Sequence, residues 1–300
     1  MREFIINRND GGQRLDKFIM KLMPDIPKSM LYKSLRKNCV RVNGKHVKDG
    51  AFILSDGDNV ALYMKDEFYK NEGFKYIKPD LDIVYEDNNI MVINKPVGML
   101  CHNDENGKGE TLIDMVISHL YDTGEYNPNV ENTFKPALCN RLDRNTGGLV
   151  IGAKNAPALR EMNRSIKARE VHKFYSAICE GYTPQSGELR DKLCREGKVT
   201  EVSDEGKNAH LKYRALSQKN GYTLLEVELL TGRTHQIRAQ FKNIGHPLMG
   251  DTKYGAKDGD FRQALYSTRV SFDFPESSIL SYLNGKEIKT EAPFIKDFKE

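Results

Sequence analysis

Residues 140–155 read NRLDRNTGGLVIGAKN, a charge-dense turn with two glycines that runs directly into an apolar strand. Leu149, Val150 and Ile151 have the look of a buried strand, and Gly147 and Gly148 permit backbone conformations that other residues adopt only at a cost. Asp143 therefore sits at the mouth of a rigid element, between Arg141 and Arg144. Taken alone, the motif reads as an Arg-Asp surface turn. Its companions change that reading. LLTGRTHQIRAQFKNIGHPLMGDTKYG at 229–255 gathers Arg233, His235, Arg238, Lys242 and His246 around a helix start, and HKFYSAICEG at 172–181 adds Tyr175.

The chain has 300 residues, more than one core usually holds, which predicts two domains at roughly 100–200 residues each. No apolar run approaches the roughly 18 residues needed to cross a bilayer, so a soluble chain with no membrane partner is expected. The opening MREFIINRNDGG lacks the charged and then apolar regions of a secretory signal, which predicts a cytoplasmic protein. Five cysteines with no C-x-x-C pair argue against a disulfide framework and a zinc knuckle, and are expected to be small buried side chains. His235 and His246 stand 11 residues apart with no cysteine or third histidine nearby, so no metal is expected.

Net charge is only +4, but residues 1–60 hold 12 Lys and Arg against 7 Asp and Glu, so the basic excess is N-terminal. Lys28, Lys33, Arg36, Lys37, Arg41, Lys45 and Lys48 are spaced to offer a positive face to phosphates, or else form a solvated surface with no partner. RLDKFIMKLM places Leu15, Phe18, Ile19 and Leu22 at helical spacing, and Pro24 and Pro27 interrupt the chain before a second, basic helix from about Lys28. CVRVNG then alternates Val40 and Val42 up to an Asn43-Gly44 turn, and GDNVALYM supplies a later strand. This order over residues 12–64, with RLDKF, VRVNG and GDNV in sequence, resembles the S-four type of RNA-binding domain. The resemblance implies RNA contact through the second helix and the loop that follows it.

Residues 65–80, KDEFYKNEGFKYIKPD, show no sustained period and read as a linker with tethered aromatics. Strands are expected at Asp82–Tyr85, Ile90–Asn94, 171–181 and 222–230, and helices at 111–121, 156–170 and 233–244. Strands outnumber helices. The organisation is therefore α+β: residues 1–64 a small helix-helix-strand domain, 65–80 a linker, and 81–300 a mainly antiparallel sheet flanked by helices.

Three ordered motifs, INKPVGM at 93–99, NRLDRNTGGLVIGAK, and TGRTHQIR followed by GHPLMGD and YG, resemble the pseudouridine synthases of the RluA type. The family usually carries histidine where this chain has Asn140 and serine where it has Gly147, positions to which it assigns no chemistry. The resemblance implies isomerisation of uridine to pseudouridine without a cofactor. It assigns Asp143 the role of catalytic carboxylate, Arg238 that of its cationic partner, and Tyr175 contact with the uracil. Asp143 would attack the anomeric carbon or remove a sugar proton, and the sequence leaves both routes open. Arg141 would stack where the extruded base had been, and Arg144 would contact a phosphate. Lys95, Pro96, Gly98, Thr146, Gly148, Arg233 and His235 are expected to shape the pocket and its loops.

The expected substrate is large-subunit ribosomal RNA, transfer RNA being the other candidate, and the expected state is a monomer. A non-catalytic RNA-binding or ribosome-assembly protein would explain the basic N-terminal unit equally well, but would need neither Asp143, Tyr175 nor Arg238. A glycosidase would need a second acid, which these motifs lack.

Overall fold

The computed structural model describes residues 1–69, 73–103, 109–257 and 262–299. Its N-terminal unit is a four-stranded antiparallel sheet, β1 (Arg2–Ile5), β2 (Val40–Val42), β3 (Lys45–His46) and β4 (Asn59–Leu62), in the order β1-β4-β2-β3. Helices α1 (Leu15–Leu22) and α2 (Lys28–Arg36) cover it. Leu15, Phe18, Ile19 and Leu22 form the buried stripe of α1, as their spacing predicts, and they meet Leu31 and Leu35 of α2 and Val40, Val42, Val60 and Leu62 of the sheet. Asn43 and Gly44 both take positive φ (51° and 76°), the conformation of a two-residue hairpin whose twist matches its strands. The strand at Arg2–Ile5 was not expected: its short apolar run, Phe4 to Ile6, carries no alternation.

The second unit is built on an eleven-stranded sheet. Its main path runs β11 (Val199–Val202), β10 (Ser186–Glu196), β12 (Lys207–Lys219), β13 (Tyr222–Leu229), β9 (Val171–Glu180), β14 (Leu265–Phe272), β8 (Gly147–Ala153), β6 (Ile90–Lys95) and β5 (Ile83–Glu86). The short β7 (Ala137–Leu138) joins β8 and β15 (Glu287–Lys289) joins β14. All pairings are antiparallel except β14 with β8. Helices α3 (Leu112–Asp122), α4 (Ala156–Ala168), α5 (Gln236–Asn243) and α6 (Phe294–Lys299) flank the sheet, and β8 is buried along its whole length. Two of the cysteines, Cys101 and Cys179, are buried; Cys39, Cys139 and Cys194 are only half-buried, so the expectation of five buried thiols fails for three.

The described part of residues 65–80 lies on both units. Tyr69 stacks on Phe4 in the N-terminal core, while Phe74 packs on Tyr121 and the Ile77 amide donates to Ser118 Oγ of α3. The polar stretch 122–134 is likewise a docking strip. Asp10, fully buried, accepts from Asn132 Nδ2 (2.8 Å), Thr133 Oγ1 (2.5 Å) and Gln13 Nε2 (3.2 Å). Asn7 and Asn9 donate to Glu131, and Asn9 Oδ1 accepts from the Ala156 amide at the start of α4. A buried carboxylate is tolerable only while its donors stay in place, so the joint is specific.

Replacing Asn132 with Ala and Thr133 with Val together removes two of the three donors to Asp10. The expected cost is about 3 kcal/mol, at 1.5–3 kcal/mol per hydrogen bond to a charged group. The N-terminal unit should then melt separately and earlier, seen as a second transition in calorimetry. One unchanged transition would show that the joint carries no coupling.

Candidate active site

Asp143 stands at the end of a loop anchored by backbone geometry at both ends. The Thr146 amide donates to the Asp143 carbonyl (3.1 Å), closing a turn, and Asn140 extends the β8 ladder: its Oδ1 accepts from the Ile151 amide (2.8 Å) and its Nδ2 donates to the Leu149 carbonyl (3.5 Å). The two glycines serve different needs. Gly148 has φ +106°, and a Cβ there would lie 2.1 Å from the Ser267 carbonyl oxygen of β14. Gly147 has ordinary φ, and what it provides is space: a Cβ would lie 2.3 Å from the ring of Tyr266, whose hydroxyl donates to Asn94 Oδ1 (2.8 Å). Conformational freedom is thus required at one of the pair, and room at the other.

Arg238 lies in the first turn of α5 and is almost fully buried. Its Nε and Nη2 donate to the two oxygens of Asp251 (2.6 and 2.7 Å), and its Nη1 donates to Asp143 Oδ2 (3.2 Å). The guanidinium carbon lies 4.7 Å from the ring centre of Tyr254. Burial opposes its charge, but Asp251 and then Asp143 outweigh burial and raise its pKa. Asp251 is 1 % exposed, whereas the Asp143 side chain is 26 % exposed and lines a cavity of about 560 Å³. One carboxylate closes the arginine off from within; the other meets the cavity.

His235 completes the network. The Thr200 amide donates to the Tyr254 hydroxyl (2.9 Å), and that hydroxyl lies 2.8 Å from His235 Nδ1. If the phenol proton goes to Nδ1, its ring acceptor here, the imidazole carries its own proton on Nε2, 3.7 Å from Asp143 Oδ2. Burial lowers the His235 pKa, aided by Arg238 and Lys253 and opposed by Asp143. The ring is therefore neutral near pH 7, and Arg238 is the cation beside Asp143.

Of the residues singled out in the sequence, Arg141, Asp143, Thr146, Tyr175, Arg233, His235 and Arg238 all line this cavity. Tyr175 is 5 % exposed, and burial, then the nearby Asp143 charge, raise its pKa, so the phenol is protonated at neutral pH. Arg141 is exposed and donates to Thr234 Oγ1 (3.1 Å). Arg233 Nε donates to the Asn208 carbonyl (3.0 Å), and the Thr146 hydroxyl accepts from Gln263 Nε2 (3.0 Å). Lys95, Pro96, Gly98, Arg144 and Gly148 are not on the lining. Lys95 is wholly buried and its ammonium donates to the carbonyls of Pro96, Met99 and Arg144 (2.9, 2.9 and 3.2 Å), tying the 96–99 loop to the Asp143 loop. Burial pushes its pKa down to about 8. Arg144 Nε donates to the Gly98 carbonyl (3.1 Å) in the same joint.

The basic residues of the N-terminal unit lie outside the cavity. Lys28, Lys33, Arg36, Lys37, Lys45 and Lys48 are exposed, and among the described residues none forms an ion pair; Arg41 is half-buried, 5.4 Å from the ring centre of Tyr63. The sequence reading gave no role to Tyr254, although the YG pair containing it was visible, nor to Gln236. The Gln236 amide accepts from Thr231 Oγ1 and the Arg233 amide and donates to the His210 carbonyl, fixing the turn into α5.

Two outcomes test this network. Arg238→Met leaves Asp251 buried without its cation and should cost about 3–5 kcal/mol of stability, read by denaturant unfolding. Because His235 has a folded pKa below its unfolded value of about 6.5, its contribution to stability is present above that pH and is lost as pH falls below it. His235→Asn, which suits the left-handed backbone at this position (φ 53°), should lose less stability than the wild type between pH 6.5 and acid. Parallel pH curves for the two proteins would remove the histidine from this account.

Comparison with known proteins follows the same division. Residues 89–243 match the family model described as RNA pseudouridylate synthase, and residues 13–60 match the S4 domain. An uncharacterized RNA pseudouridine synthase of Mycoplasma capricolum is 33% identical over 96% of this chain and 97% of its own length. A ribosomal large subunit pseudouridine synthase D of Neisseria meningitidis is 30% identical over 96% of this chain and 77% of its own. Human RNA Pseudouridylate Synthase Domain Containing 1 shares the fold, with a TM-score of 0.56 at 22% identity over 73% of this chain and 86% of that one. The chain belongs to the RluA-type family of RNA pseudouridine synthases, which are isomerases, and carries an S4 RNA-binding domain at its N-terminal end.

Proposed function

We propose that this chain converts uridine to pseudouridine in large-subunit ribosomal RNA, with Asp143 as the catalytic carboxylate. The observation that carries the reading is the Asp143–Arg238 pair at the cavity wall: a carboxylate held by a single N–H of an arginine whose other side is saturated by Asp251. Such a carboxylate is oriented and open to substrate. The ribosomal substrate is supported by relatives named ribosomal large subunit pseudouridine synthase D that align with 96% of this chain.

In the reaction the bond from ribose C1′ to uracil N1 breaks, the freed base turns, and C1′ bonds to C5, which loses its proton while N1 gains one. The atoms of the product are those of the substrate. Asp143 serves the first step either by bonding to C1′ as N1 leaves, that bond breaking when C5 attacks, or by taking the 2′ proton and returning it when C5 bonds to C1′, and its negative charge stabilises the positive charge that develops at the anomeric carbon. Arg238 supplies the positive partner beside the carboxylate, and His235 is neutral and adds no second charge. Tyr175 offers a buried ring as a wall for the uracil. Its phenol, protonated at neutral pH, serves proton loss from C5 only as a relay that accepts one proton while passing on another. Arg141, exposed and bridged to Thr234, supplies a flat cation to occupy the gap left by an extruded base, offsetting an unstacking cost of about a few kcal/mol.

The test is pseudouridine mapping in unmodified large-subunit ribosomal RNA incubated with the wild type and with Asp143→Asn. The wild type should modify one or a few uridines, and the variant should be slower by about a thousandfold or more, while still binding RNA. Equal, background levels of pseudouridine with both proteins would sink the enzymatic reading and leave an RNA-binding protein.

A further inference from the structure

Three lysines with little or no exposure are found in the catalytic unit, and two of them have their partners inside the protein. Lys95 donates to three carbonyls; Lys154 pairs with Glu86 (2.9 Å) and Glu125 (2.6 Å). The third, Lys173 of β9, is 8 % exposed and lines the cavity, yet among the described residues nothing accepts a hydrogen bond from its ammonium and no carboxylate pairs with it. Burial lowers its pKa and no neighbouring charge offsets the effect. The side chain is largely enclosed while its ammonium opens to the cavity, so an anion entering from outside would meet a cation that no protein group already pairs.

The position of Lys173 says where that anion lies. Lys173 and Tyr175 are two residues apart on one face of β9, so the lysine stands roughly 6–7 Å along the wall from the tyrosine. Across the sheet Tyr175 is paired with Ser267, itself paired with Gly148 of the Asp143 loop, whereas Lys173 is paired with Val270. The lysine is therefore one step beyond the reacting centre. Lys167 and Arg169, at the end of α4 and a few residues before Lys173 in the chain, are exposed and line the same cavity. The end of a helix by itself repels anions, but here two of its last carbonyls are already bonded, Ile166 by the Arg169 amide and Ser165 by the Glu170 amide, and the cations outnumber the residual dipole.

We propose that Lys173, with Lys167 and Arg169 at the rim, binds a phosphodiester of the RNA strand adjoining the uridine that enters the cavity. The proposal rests on the reading of that cavity as the uridine site. A uracil carbonyl would satisfy one hydrogen bond, but it would leave three positive charges with no counter-charge; a phosphate answers both. Binding this phosphate fixes the strand at a distance from the anomeric carbon and so positions the nucleotide without touching the reacting atoms.

The experiment compares the full-length wild type with Lys173→Met and Lys173→Arg, using a labelled oligouridylate for equilibrium binding across a salt series and unmodified large-subunit ribosomal RNA for kinetics. Lys173→Met should flatten the plot of log affinity against log salt by about 0.7, the share of one single-strand phosphate, and Lys173→Arg should keep the wild-type slope. In kinetics the methionine variant should raise KM with kcat nearly unchanged, the mark of binding energy expressed equally in ground and transition states. An unchanged slope overturns the proposal, as does a loss of kcat alone, which would assign the lysine to the reacting base. Melting no lower than wild type is expected for Lys173→Met, since an unpaired buried charge is lost. If the wild type makes no pseudouridine at all, the uridine-site reading falls, and the salt slope still decides whether Lys173 meets a phosphate.

Discussion

The site depends on one guanidinium with two carboxylates of unequal access. Arg238 in the first turn of α5 is buried, so it requires counter-charge, and Asp251 supplies it in a two-point grip. That grip leaves Nη1 as the arginine's contact with Asp143. Were Asp251 absent, the planar fork would be free to close on Asp143 in the same bidentate manner, and the carboxylate facing the cavity would become half of a structural ion pair. The inner aspartate therefore leaves the outer one available to the cavity. Tyr254 completes the arrangement from two sides, its ring against the guanidinium and its hydroxyl on His235.

The sheet brings these groups together because β8, β14 and β9 are neighbours at its centre. The chain arrives at Asp143 on the loop before β8, at Tyr175 on β9, and at Arg238 on a helix that follows β13, the other neighbour of β9. Only Gly fits at 148, where the parallel β14 passes with its Ser267 carbonyl against the backbone, so the loop carrying the aspartate is held by contact between main chains rather than by side-chain packing. Lys95 braces the same loop from the other direction through the Arg144 carbonyl. An oriented carboxylate needs such support, since displacement of a reacting group by about 1 Å can cost on the order of a hundredfold in rate.

Local signals carried much of this into the sequence. The helical period of α1, the Asn43-Gly44 hairpin, the apolar run after Gly148 and the spacing of Asp143, Tyr175 and Arg238 in separate motifs were all visible, and the S4 and synthase families could be named from them. The long hairpin strands β10 and β12 were not read. Their exposed faces are crowded with Lys, Arg, Glu and Asp, and the buried alternation of Ala209, Leu211, Tyr213 and Ala215 uses three small or polar-tipped residues that give a weak signal. The docking strip at 131–133 was also hidden. Its Glu, Asn and Thr look like any polar loop, and their partners, Asp10 for Asn132 and Thr133 and Asn7 and Asn9 for Glu131, lie more than a hundred residues away. For Tyr254 and Gln236 the obstacle is the same: their value lies in partners distant in sequence.

Charge is divided between the two units in a way that separates capture from chemistry. On the S4 unit Lys28, Lys33, Arg36, Lys37, Lys45 and Lys48 are exposed and among the described residues form no ion pair, so their attraction for phosphates acts across solvent and is screened beyond a Debye length of about 8 Å at physiological ionic strength. In the catalytic unit the Arg238–Asp251 pair is buried and Asp143 is three-quarters covered, so salt reaches these charges far less. The joint around Asp10 connects the two regimes through neutral donors, Asn132, Thr133 and Gln13, whose hydrogen bonds are short-range. Salt can therefore weaken the hold of the N-terminal unit on RNA without loosening its attachment to the catalytic unit or the pairing of Asp143 with Arg238. A protein whose two units were joined by exposed ion pairs would lose its hold on RNA and the attachment between its units together.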